Sequence, residues 1–266
     1  MVFSKLIFAY LAIFPLGQII RLRINVLGSS YPLHPVDFIA GLILIVFLVA
    51  KLYQPKFFRY MLGFLTVAFF SLLLSFSLFN TKEIFTGGFY LLRLSAYTSI
   101  VPVVWSITRS KNNKKVLFNS LLVATIVVAV FGWIQYLWLP DLRDLKYIGW
   151  DDHYFRMFGT FLDPAFFGLI IVFGALLALV KFLSKDRKQL FILVFLLFTL
   201  LLSYSRASYI AFLVGMTSLL YKSQQKLIYA LVMIFALFAI SLPLLPRNIS
   251  EAAKLERTYS VFAKFD

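Results

Sequence analysis

Long apolar runs alternate with short polar segments along the whole chain, and the apolar runs have the length of membrane spans rather than of strands. A stretch of about 20 mostly apolar residues crosses a bilayer as a helix, because only a helix satisfies its own backbone polar groups in hydrocarbon. Nine such spans are predicted, at approximately 6–20, 36–52, 60–79, 87–107, 116–139, 164–183, 189–204, 207–221 and 227–245. The seventh and eighth are separated only by Ser205 and Arg206 and are read as a tight hairpin, not one overlong helix. The expected fold is therefore all-α, a polytopic transmembrane helical bundle over 1–245. It is followed at 246–266 by a polar segment with a helical rhythm of Ile249, Ala253, Leu255, Tyr259 and Phe262. No internal repeat, Pro-rich linker or soluble domain interrupts the bundle, so one membrane domain is expected.

Composition sharpens this picture. The 266 residues are 62% hydrophobic and only 14% charged, with a mean hydropathy of +0.91, against roughly 25% charged residues in ordinary soluble domains. A chain of this size has too little interior to hide so much apolar surface, and with Phe at 31 the excess is bulky. Cys is absent, which excludes disulfides, a thiolate nucleophile and a cysteine-built metal site. No cluster of residues has metal-ligand spacing either, and no cofactor is expected.

The net charge of +15 would suggest nucleic acid if the cations formed one continuous face, but they lie between apolar runs and read as topology signals. On one side stand Lys5, then Lys51, Lys56 and Arg59, then Arg109, Lys111, Lys114 and Lys115, then Lys181, Lys185, Arg187 and Lys188, then Lys222 and Lys226. The short loops of the other side hold only Arg21, Arg23, Lys82 and Arg206. The rule that short cytoplasmic loops are basic places the N-terminus in the cytoplasm and the C-terminus outside. Met1 to Lys5 leads straight into apolar sequence with no cleavage site, so the first span is expected to be retained. Nearly all acids fall outside, and the 140–163 loop mixes Asp, His, Arg, Trp and Gly, so chemistry is expected at the outer face.

Three arginines stand out. Arg206 lies in Leu202-Ser203-Tyr204-Ser205-Arg206-Ala207-Ser208, apolar on both sides, where a guanidinium costs a few kcal/mol unless it reaches water or a partner. It reads either as an anion-binding group or as a turn arginine snorkelling to headgroups. Arg156 stands in a loop whose Gly159 and Pro164 break helix before the sixth span, either folded over a ligand or solvated among its own charges. Arg93, inside the fourth span, faces a cavity or partner, or snorkels. His34, between Pro32 and Pro35, reads as a loop residue. His153, next to Asp152, is a candidate acid/base, as is Asp163.

Arg156-x-x-Gly159-Thr160-Phe161 with Pro164 and a span behind it, followed some forty residues later by Ser205-Arg206-Ala207-Ser208 at a helix start, resembles the bacterial O-antigen ligase and O-antigen polymerase family. The similarity covers about 140–266, with Pro164-Ala165 where that family often carries Pro-Asn. The resemblance implies a polytopic, metal-independent glycosyltransferase of the bacterial inner membrane. It would use a glycan on undecaprenyl diphosphate as donor, and a glycan, lipid A core or protein as acceptor, at the outer face. It implies that Arg156 and Arg206 hold the diphosphate; Ser205 and Thr160, which stand in the two motifs, and Arg93, as an intramembrane charge, are expected to be further substrate contacts. It also implies a large outer loop with a functional histidine and further spans, for which the sequence ends too early at Asp266, so the chain is expected to be cut short. Two other classes stay open: a transporter or flippase in which the arginines guide an anionic lipid, and a non-catalytic membrane subunit.

Overall fold

Where the apolar runs end is set by proline, by capping side chains and by a few residues of left-handed backbone. The computed structural model describes residues 2–221 except 27–28, 51, 149–152 and 185. In chain order it contains α1 (Val2–Ile13), a hairpin of β1 (Leu22–Val26) and β2 (Ser29–Leu33), α2 (Pro35–Val49), α3 (Phe58–Leu74), α4 (Thr81–Ile107) and α5 (Lys111–Trp138). There follow a short antiparallel pair of β3 (Asp141–Leu142) and β4 (His153–Tyr154), then α6 (Pro164–Leu183), α7 (Gln189–Leu202) and α8 (Arg206–Leu220).

The all-α expectation holds, with two small hairpins added. Four of the described helices are long and apolar enough to cross a membrane: Phe58–Ser77, Thr81–Ile107, Lys111–Trp138 and Pro164–Leu183. The predicted first, second, seventh and eighth spans are helices as well, but shorter than the roughly 20 residues a perpendicular crossing needs. The first stops early because Pro15 and Gly17 convert its end into a 3-10 turn, with Gly17 at φ +53°. The fourth begins earlier than its apolar run, at Thr81. Asn80 and Glu83 form a capping box there, with the Glu83 N–H donating to Asn80 Oδ1 at 3.0 Å and the Asn80 N–H to Glu83 Oε2 at 3.1 Å. The predicted ninth span, 227–245, and the polar segment 246–266 lie outside the described residues.

The chain divides into two units within α5, at Ala124 and Thr125. In the first unit α2 packs on α1 and α4, and α3 on α4, with Ile7, Ile43, Val103 and Leu117 at the centre. Among the described residues the outer side of α3 has no protein partner: Phe64, Val67, Phe70 and Leu74 are all more than half exposed. Such a surface is costly in water and unremarkable in lipid.

In the second unit α6 packs against both α7 and α8. Small residues allow it. A Cβ on Gly174 would fall 2.2 Å from the Thr125 side chain on α5, and one on Gly168 would fall 2.4 Å from Ser208 Oγ on α8. Close backbone approach of this kind is how helices associate when lipid removes the hydrophobic drive between them. The break between the seventh and eighth predicted spans is real: α7 ends at Leu202, Tyr204 turns the chain at φ +50°, and α8 starts at Arg206.

Candidate functional site

The second unit brings the two sequence motifs together. Its Arg156 loop leaves β4, passes Gly159 and ends at Asp163, the N-cap of α6. The loop is pinned to the turn between α7 and α8 by two bonds. The Met157 N–H donates to the Leu202 carbonyl at 2.9 Å, and Arg156 Nη2 donates to the Tyr204 carbonyl at 3.3 Å. Arg156 thus stands against the turn that carries Arg206 two residues on.

Gln135, buried on α5, holds the loop from its other side. Its Nε2 donates to the Arg156 carbonyl at 3.2 Å and to the Leu139 carbonyl at 3.1 Å. Its Oε1 accepts from the N–H groups of Phe158 at 3.1 Å and Gly159 at 3.3 Å. A single amide side chain therefore satisfies three backbone groups of the loop that would otherwise be buried without partners. Gly159 has φ +55°, and a Cβ there would meet Phe167 and the Gly132 backbone, so the turn at Gly159-Thr160 needs glycine for both reasons.

Backbone strain gathers at the same place. Phe155 at φ +47°, Leu162 at +58° and Tyr204 at +50° are the non-glycine residues with positive φ among the described residues. All three sit in the loop or the turn it is tied to. The left-handed region costs roughly 1–2 kcal/mol per such residue, and strain of this kind concentrates where a site needs one geometry.

The other predicted residues take definite places. Arg206 is exposed at the first position of α8. Ser205 is its N-cap: Ser205 Oγ accepts from the Ser208 N–H at 3.3 Å and lies 2.7 Å from Ser208 Oγ. Asp163 Oδ1 caps α6, accepting from Ala165 N–H at 2.7 Å and Phe166 N–H at 2.9 Å. Thr160 is buried in the loop, and the His153 ring is buried against Phe158 with centroids 4.9 Å apart. Asp152 lies outside the described residues. At the base of the loop, Arg143 beside Asp141 holds that exposed carboxyl below the usual carboxylate range.

Arg93 belongs to the first unit, and its counterion is a residue the sequence placed only among the outer acids. Arg93 Nε donates to Asp37 Oδ1 at 2.8 Å and its Nη2 to Asp37 Oδ2, a two-pronged ion pair between α4 and α2. Tyr97 Oη donates to Asp37 Oδ1 at 2.5 Å and the His34 N–H to Oδ2 at 2.8 Å. Burial holds the His34 imidazole below its ordinary pKa. Asp37→Ala is expected to lower the thermal stability of the purified protein by somewhat less than the roughly 3–5 kcal/mol of a fully buried pair. The discount reflects the fifth of the Arg93 side chain that stays accessible. A melting curve in detergent checks it, and an unchanged midpoint would contradict the structural weight given to the pair.

Gln135 and Asp37 are the residues that sequence reasoning missed. Gln135 had a signal: a full amide donor and acceptor among Trp133, Ile134, Tyr136 and Leu137 in a lipid-length run. Asp37 had one too, as an acid in the first turn after Pro35.

The fold is mainly helical, with four described helices long and apolar enough to cross a membrane, and it fastens an arginine-bearing loop to a helix-initiating turn. Compared with known proteins, the chain matches no protein-family model, no curated protein and no solved structure.

Proposed function

We propose that the protein transfers or polymerises a glycan carried on undecaprenyl diphosphate at the outer face of the bacterial inner membrane, in the manner of O-antigen ligases and polymerases. The observation that carries this reading is the bond from Arg156 Nη2 to the Tyr204 carbonyl, which fastens one candidate phosphate-binding arginine to the turn that presents the other. The reading includes nine spans with the N-terminus cytoplasmic, which puts that turn and the 140–163 loop on the outer side.

In this mechanism an acceptor hydroxyl oxygen bonds to the anomeric carbon as the bond from that carbon to the diphosphate oxygen breaks. The electron pair departs with undecaprenyl diphosphate, and the hydroxyl proton passes to a base. Fixed guanidiniums answer the charge growing on the leaving group. Arginine offers paired donors to phosphate oxygens and stays protonated at every working pH. His153, Asp152 and Asp163 are the local candidates for the proton, and Asp163 has one oxygen occupied in capping α6.

The test supplies full-length protein in proteoliposomes with a lipid-linked glycan and acceptor, and no nucleotide sugar. Expected is a longer or acceptor-linked glycan with stoichiometric release of undecaprenyl diphosphate. A glycolipid that stays intact, or that only changes leaflet, overturns the reading and, in the second case, favours a flippase.

A further inference from the structure

In the first unit a cleft of about 260 Å³ opens between α2 and α4. Leu33, Ala40, Leu44, Phe89, Leu92 and Ala96 give it an apolar lining, and Asp37 and Arg93 form its one charged wall. The volume falls just short of the roughly 300–1,000 Å³ of small-molecule pockets and suits a narrow aliphatic chain. Gly41 keeps it open: no atom lies within 4 Å of where a Cβ would stand.

The wall has a donor to spare. Arg93 commits Nε and Nη2 to Asp37 and also interacts with the Tyr97 hydroxyl, but a guanidinium carries five N–H donors and a fifth of this side chain remains accessible. With Asp37 beside it, the pair is neutral overall, and an incoming anion would meet the carboxylate as well as the guanidinium. An uncharged acceptor on an aliphatic chain fits both features, and the bilayer supplies that chemistry in the fatty-acyl ester. We propose that this cleft holds one acyl chain of a bilayer phospholipid, its ester carbonyl accepting a hydrogen bond from the Arg93 guanidinium. The assignment is independent of glycan transfer.

The full chain is reconstituted in nanodiscs containing a diacyl phospholipid with a diazirine in one acyl chain, illuminated, and the labelled peptides are mapped. Expected is labelling around Gly41, Leu44 and Leu92 above that on the exposed α3 residues Phe64, Val67 and Phe70. Gly41→Leu, which fills the slot, should bring the cleft signal down to the α3 level. Equal labelling of cleft and α3 in the unsubstituted protein overturns the proposal without reference to any variant. So does a cleft labelled by a diazirine-bearing polyprenyl phosphate in preference to the diacyl lipid.

Discussion

Arg206→Ala is expected to abolish glycan transfer in cells while leaving the amount of protein in the membrane unchanged. The guanidinium is exposed at the first turn of α8, whose N-cap is Ser205, and an exposed substitution of this kind should move stability by no more than about 0.5 kcal/mol. Removing one preorganised donor to a developing negative charge, by contrast, costs on the order of 10²–10³-fold in rate. Arg206→Lys should fail nearly as badly. An ammonium is a point charge on a flexible stem and cannot span two phosphate oxygens with a rigid fork. Transfer assayed beside an immunoblot separates the two effects, and normal transfer by either variant would remove the proposed mechanism.

Gln135→Leu is expected to be the most destabilising substitution in the second unit. It strips partners from the Arg156 carbonyl and the Phe158 and Gly159 N–H groups at once. Each buried backbone group left alone costs about 1–3 kcal/mol, and with some relaxation of the loop the total should reach on the order of 3 kcal/mol. Gln135→Glu is the informative companion. As a protonated acid, the form burial favours, it still accepts from the two N–H groups and can donate to one of the two carbonyls that the amide serves, so its loss should be smaller below the pH at which that acid ionises. Thermal unfolding in detergent orders the three proteins. A Leu variant melting with the parent would show that the loop is held by something other than this amide.

The helices were legible because apolar runs of this length have only one backbone solution in lipid, and each described run is a helix. Their ends were less so. Asn80 and Glu83 extend α4 beyond its apolar stretch through a box visible in the sequence as Asn-x-x-Glu, whereas Tyr204 ends a helix in a conformation its residue type gives no reason to expect. The hairpin of β1 and β2, which pairs Ile24 with Tyr31, escaped because hydropathy treats everything between spans as loop. The order and spacing of the Arg156 and Arg206 motifs suggested that they belong together. Gln135 was legible as an amide in an apolar run, but the groups it holds lie 21 to 24 residues further on, and nothing in the sequence marks the Leu202 carbonyl. Arg93 was legible as a charge needing a partner, but its partner lies 56 residues away, beyond the reach of periodicity.

The left-handed residues around Arg156 make the loop a loaded latch. Phe155, Leu162 and Tyr204 each sit roughly 1–2 kcal/mol above a relaxed backbone, and hydrogen bonds to Gln135 and Leu202 fasten the stretch from Arg156 to Gly159 between them. Parting of those bonds would let the backbone relax downhill, so under the proposed reaction the fastening that fixes the Arg156 guanidinium would also govern how readily it releases its pyrophosphate.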